Sequence, residues 1–224
     1  MSSQYLKDPL KNKSVLLTGG RAAKEIYGIW NREYPINSLS GINFYFGDER
    51  CVPSSSLDSN CGMINSVLFS NGIPIGCNLF PMNLEFESLD IAAKSYADLL
   101  PQKADLVILS AGEDGHIASL FPGSKAVLEE YLSVLCVTDP NGKNRLTITP
   151  KVIRNASEVV VIAYGASKQH LLKEAQMTDS AFKFPASLVR DAAWIVGDNI
   201  DDMAEKLWIM LKNKSHTTIE WMKR

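Results

Sequence analysis

Short apolar runs rich in β-branched and aromatic residues alternate along this chain with segments whose apolar residues recur at helical spacing. Nothing else in the sequence constrains the fold as strongly. Residues 14–18, 42–46, 105–110, 132–137, 159–164 and 194–197 are the strand candidates, and 22–34, 91–100, 167–177 and 202–212 carry the helical pattern. On the segment 91–100, Ile91, Ala92, Tyr96 and Leu99 share one face, whose default meaning is core packing. Alternation of this kind predicts an α/β fold, with a mostly parallel sheet and helices on both faces. The chain of 224 residues, 46% hydrophobic, reads as a single domain spanning 1–224, with a short N-terminal segment 1–13 and a polar C-terminal tail 215–224.

In an open α/β sheet ligands gather where strands end. The chain places polar residues at four such ends. The strand candidate 105–110 runs into Gly112-Glu113-Asp114-Gly115-His116, where two glycines permit a sharp bend and an Asp stands two residues before a His. An imidazole oriented by a carboxylate suits proton transfer to or from water, which nominates His116 and Asp114 as catalytic groups. Asp-Gly is also among the commonest turn dipeptides, so a solvated turn with an exposed His116 is the bland alternative.

The strand candidate 14–18 runs into Gly19-Gly20-Arg21 and then a helix, a geometry that points backbone N–H groups at an anion, or simply makes a tight turn. Phe44-Tyr45-Phe46-Gly47 leads into Asp48-Glu49-Arg50, followed by Asp58-Ser59-Asn60. Arg50 has the planar fork that binds phosphate or carboxylate, whereas Asp48 and Glu49 fit an internal ion pair at least as well as a ligand site. Tyr164-Gly165-Ala166-Ser167-Lys168 puts a cation in the first turn of a predicted helix, unfavourable unless an anion balances it. Lys168 is therefore a phosphate candidate. His170 is expected on a helix flank, and His216 falls in the polar tail.

Composition excludes several classes. A net charge of -2 with no long basic run gives no footprint for nucleic acid, and no apolar run is long enough to span a bilayer. Cys51, Cys61, Cys77 and Cys136 lack CxxC pairing, which predicts free thiols in a reducing cytosol rather than a metal site. No metal or organic cofactor is called for, and the partner expected is a small molecule.

With these pieces in order, the chain resembles the 6-phosphogluconolactonase family. The resemblance rests on Asp48-Glu49-Arg50 with Asp58-Ser59-Asn60, Asp114-Gly115-His116 with Ala118-Ser119-Leu120-Phe121-Pro122, and Arg145-Leu146-Thr147-Ile148-Thr149. Gly165 with Lys168, and Phe184-Pro185-Ala186-Ser187-Leu188-Val189, extend it over most of the chain. It implies a modified Rossmann-like fold shared with glucosamine-6-phosphate deaminases, and cytoplasmic hydrolysis of 6-phosphoglucono-1,5-lactone by a monomer or small homo-oligomer. His116, Asp114 and Arg50 would be catalytic. Gly19, Gly20, Arg21, Asp48, Arg145 and Lys168 would bind the sugar phosphate.

Two departures stand out. The family's first glycine loop continues with Ser or Thr and then Pro, whereas Arg21-Ala22-Ala23 follows here, and only residues 1–13 precede the first strand candidate where the family carries a helix. The alternatives are a deaminase-like isomerase, disfavoured because Leu120-Phe121-Pro122-Gly123 stands where that activity needs an Asn-Glu-Pro-Gly run, and a sugar-phosphate binder without turnover.

Overall fold

The computed structural model describes residues 12–85 and 87–212. The polar tail with His216 and nearly all of the N-terminal segment lie outside the described residues. Six parallel strands form the main sheet in the order β4-β2-β1-β5-β8-β9. These are β1 (Lys13–Leu17), β2 (Ile42–Phe46), β4 (Asn78–Leu79), β5 (Leu106–Ser110), β8 (Glu158–Tyr164) and β9 (Ala193–Gly197). Apart from the two-residue edge strand β4, their residues are apolar in nearly continuous runs because strands covered on both faces have no solvent side.

Helices flank this sheet: α1 (Arg21–Glu33), α2 (Asn60–Val67), α3 (Leu89–Leu99), α4 (Pro150–Asn155), α5 (Leu171–Met177) and α6 (Ile200–Lys212). Helix α1 packs against α2 and α6. Trp30, fully buried, donates its indole N–H to Ala204 O at 2.8 Å and meets the Trp208 ring edge-on at 5.5 Å. An indole needs such a partner when it is buried.

The run at 132–137 departs from the expected parallel sheet. It forms β6 (Val134–Thr138), which belongs with β7 (Asn144–Ile148) and β3 (Asp48–Arg50) to a separate antiparallel sheet ordered β3-β7-β6. The turn between β6 and β7 is short, and a short turn enforces antiparallel pairing. The helix expected from Ser167 also begins later: Ala166–Lys168 is a single 3-10 turn, and α5 starts at Leu171. Lys168 therefore precedes the helix rather than occupying its first turn. His170 stands at the N-cap position of α5 without a side-chain capping bond, its Nε2 3.8 Å from Glu174 Oε2.

Strand β1 lies between β2 and β5, so the chain leaves β1 toward one side of the sheet and resumes at β5 toward the other. The crevice beyond the carboxyl ends of β1 and β5 is the topological switch point, where open sheets bind ligands. Strand β3 continues from β2 after Gly47, and β7 pairs with it, so the small sheet closes over the same crevice. Among the described residues no helix is long and apolar enough to cross a membrane.

Candidate active site

The crevice holds a cavity of about 280 Å³. Gly19, Gly20, Arg21, Asp48, Arg50, His116, Arg145 and Lys168 all line it. Asp114 is off the wall and bears on it through His116. Residues far apart in sequence thus meet because β1, β3, β5, β7 and β8 all end or pass here.

After β1 the chain turns through Gly19 and Gly20 into α1. Gly20 has φ +91 with open space around a Cβ, so backbone conformation alone selects glycine there. Gly19 is a matter of close approach, because a Cβ would come within 1.9 Å of Asn60 Oδ1. No side chain caps the start of α1, which leaves its first amides available to an anion. Arg21 is the exposed first residue of that helix.

Strand β3 carries three charged residues into three environments. Asp48 is buried; its Oδ2 accepts from Ser119 Oγ at 2.7 Å and its Oδ1 from Asn60 Nδ2 at 3.3 Å. Glu49 points the other way and accepts the backbone N–H groups of Arg50 (2.7 Å), Asn60 (2.8 Å) and Cys61 (2.7 Å), and the Ser59 hydroxyl (3.1 Å). Burial pushes the Glu49 carboxyl up and those donors pull it back. Among the described residues neither acid forms the internal ion pair that the sequence allowed. Glu49 instead fastens the start of α2 to β3.

Arg50 donates from Nη1 to Asp58 O at 2.5 Å, and its Nε is buried without a partner among the described residues. In the β3–β7 ladder Arg50 sits directly opposite Arg145. Like charges in that position repel. Arg145 is neutralised by Asp139, with Nη2 2.8 Å and Nε 3.1 Å from Oδ2, while among the described residues the Arg50 guanidinium meets a carbonyl alone. The pair leaves positive charge at the cavity.

After β5, Gly112 N donates to His116 O at 2.8 Å and closes a tight loop. His116 Nδ1 approaches Asp114 Oδ1 at 2.6 Å, and the side chains are one-third and about half exposed. The hydrogen bond from His116 holds the Asp114 carboxyl below its usual range, against a smaller opposing effect of burial. With Nδ1 committed to Asp114, Nε2 is the ring atom free for chemistry. Phe121 packs against the imidazole, ring centres 5.1 Å apart. Ala118, two residues on from His116, has φ +49, the one non-glycine residue in the left-handed region among those described.

Lys168 donates to Ala111 O at 2.6 Å. Burial lowers its ammonium, Arg21 nearby lowers it further, and Glu113 and Asp114 oppose both. Two cations drawn to one wall favour an anion between them. Among the described residues there is no group of three or more His, Cys, Asp or Glu side chains placed to hold a metal. In the sequence Ser119, Phe121 and Asn60 are motif members without a role of their own. Their importance arises from contacts across strands, which no local pattern reports.

The fold and this cavity define a Rossmann-like α/β protein with a cation-lined site at the switch point of its sheet. A family model described as glucosamine-6-phosphate isomerases/6-phosphogluconolactonase matches residues 4–196, and the chain belongs to that family. It is 33% identical over 205 residues to a 6-phosphogluconolactonase of Chlamydia pneumoniae, covering 85% of this chain and 78% of the relative. With 6-phosphogluconolactonase 3 of Saccharomyces cerevisiae the identity is 35% over 187 residues, covering 75% and 74%. The solved 6-phosphogluconolactonase of Trypanosoma brucei superposes with a TM-score of 0.69 at 29% identity, covering 86% of each chain. A monomeric glucosamine-6-phosphate deaminase superposes with a TM-score of 0.70 at 18% identity, covering 86% and 88%, a likeness of fold.

Proposed function

We propose that this protein hydrolyses 6-phosphoglucono-1,5-lactone to 6-phosphogluconate in the pentose phosphate pathway. The observation that carries the reading is the convergence, on one cavity, of an Asp-oriented imidazole and four cations of which Arg50 has no anionic partner among the described residues. A phosphorylated ester needs both halves.

His116 Nε2 takes a proton from water as the oxygen attacks the lactone carbonyl, giving a tetrahedral oxyanion. Arg50, with backbone N–H groups of the glycine turns, stabilises that charge; such donors contribute about 3–4 kcal/mol each. The intermediate collapses, the bond from the carbonyl carbon to the ring oxygen breaks, and His116 returns its proton to the departing alkoxide. Asp114 keeps Nδ1 protonated throughout and compensates the imidazolium. Gly20, Arg21 and Lys168 hold the phosphate, with Arg145 beside them. Arg21 takes the place of the family's hydroxyl in the first glycine loop, and Gly19 and Asp48 shape the wall by their contacts with Asn60.

The uncapped start of α1, without that hydroxyl, favours a second reading as a sugar-phosphate binder without turnover. The deaminase reading still lacks its acidic residue, since Leu120-Phe121-Pro122-Gly123 follows the His116 loop. The deciding experiment generates the lactone in situ and follows its loss, with spontaneous hydrolysis subtracted and His116→Ala run in parallel. Acceleration that disappears in the variant supports the lactonase. Thermal stabilisation by 6-phosphogluconate without acceleration supports the binder.

A further inference from the structure

The mechanism above leaves Asp139 and Phe121 unused, yet they complete a line of contacts that ends at the catalytic imidazole. Asp139 sits in the β6–β7 turn with its side chain only 2% exposed. Besides the Arg145 guanidinium, the carboxylate accepts the N–H groups of Asn141 and Lys143, both at 2.9 Å. Burial alone would raise this carboxyl; the Lys143 and Asn141 amides and the Arg145 guanidinium outweigh it and hold it below the usual range. Turn and guanidinium are therefore one hydrogen-bonded unit.

From that unit the Arg145 guanidinium carbon lies 5.7 Å from the centre of the Phe121 ring. The same ring lies 5.1 Å from the imidazole of His116, tilted by 48°. Phe121 is 7% exposed, so its position is set by packing rather than by solvent. The hydrogen bond to Asp114 fixes where Nδ1 sits and leaves the ring plane free to swing about it. A second contact, from the tilted ring of Phe121, limits that freedom and fixes the direction of Nε2. An unbalanced guanidinium this close would also oppose the imidazolium formed during turnover, and Asp139 balances it.

We infer that Asp139 is a positioning residue for the base: it holds Arg145 over Phe121, and Phe121 holds the plane of His116 so that Nε2 faces the cavity. The inference rests on the lactonase reading and extends it to residues outside the cavity wall. Misplacement of a reacting group by about 1 Å can cost 10²-fold in rate.

The test is a double-mutant cycle on Asp139→Asn and Arg145→Ala, together with Phe121→Leu, each read in kcat and KM. In parallel, the imidazole C–H resonances of His116 are recorded without substrate, where the Phe121 ring current reports its placement. Asp139→Asn is expected to lower kcat about tenfold with a smaller change in KM. In the Arg145→Ala background the same substitution should change kcat little, because residues acting through one another are not additive. The His116 resonances should move in Asp139→Asn as they do in Phe121→Leu, at an unchanged folded fraction. Additive losses across the cycle, or His116 resonances unmoved by Asp139→Asn, overturn the inference. If Asp139→Asn fails to fold, Arg145→Ala replaces it in the resonance test, and unmoved resonances there overturn the inference equally. Absence of turnover in the unmodified protein, with the resonances shifting as expected, refutes the lactonase reading and leaves the positioning of His116 standing.

Discussion

One carboxylate oxygen of Asp114, Oδ1, accepts twice from His116: from the ring at Nδ1 (2.6 Å) and from the backbone N–H (3.2 Å). The residue that orients the imidazole also fixes the turn from which it projects. Asp114→Asn should therefore lower kcat by about 10²-fold, since an amide in that place no longer selects the tautomer with Nε2 free. The sign of the stability effect is separate. A carboxyl held below its unfolded range contributes stability above the unfolded pKa and loses it as pH falls through the folded value. Chemical denaturation of both forms at neutral and acid pH should show their stabilities converging in acid.

Gly112→Ala tests the same pair sterically. A Cβ there would lie 2.1 Å from both Nδ1 and Cε1 of His116 and 2.8 Å from Asp114 Oδ1, so the imidazole must move. The half-exposed loop can yield, and kcat is expected to fall at least tenfold with little change in Tm. Gly115→Ala is the contrasting case: φ is +81 and the Cβ would lie 2.2 Å from the buried Phe184 ring. That variant should lose about 1–3 kcal/mol of stability by denaturant titration.

Lys168 sets a pH dependence of binding. Its ammonium is lowered by burial and by Arg21, so it loses its charge below the usual lysine range. Affinity for 6-phosphogluconate, measured calorimetrically, should fall as pH rises through that range, while Lys168→Met should bind weakly at every pH. In the free protein the folded state binds fewer protons than the unfolded one between the lowered value and 10.5, so stability rises with pH in that window. Lys168→Met should remove that rise.

Much of this site was legible because the residues that bend a chain after a strand are local. Gly19-Gly20, Asp48-Glu49-Arg50 and Gly112-Glu113-Asp114-Gly115-His116 each follow an apolar run, and strands of a parallel sheet deliver such loops to one edge. Pairing partners are not local. Nothing in the run at 132–137 distinguishes a strand of the parallel sheet from the edge of an antiparallel one, and the decision falls to the short turn that follows. The fate of Glu49 was hidden for the same reason. Its partners are the amides of Asn60 and Cys61, whose availability depends on α2 starting there. Lys168 is the opposite case: the sequence marks the cation, but the helix start it predicts there is postponed by the 3-10 turn Ala166–Lys168.

Arg50 offers the sharpest separation of stability from activity. Directly opposite Arg145 in the ladder, it brings like charges together, and such cross-strand pairs cost about 0.2–1 kcal/mol. Among the described residues its own anchoring is slight, a single carbonyl contact with Asp58 and a buried Nε without a partner. Arg50→Met keeps the aliphatic stem and removes the repulsion. Melting temperature should stay level or rise slightly, while kcat/KM falls about 10²-fold through loss of a donor to the oxyanion. Added inorganic phosphate should raise Tm in the unmodified protein by balancing the exposed positive charge, and should do so less in the variant. A lowered Tm in Arg50→Met with activity retained would make Arg50 a strut of the β3–β7 pair and would return the oxyanion to the amides at Gly19 and Gly20.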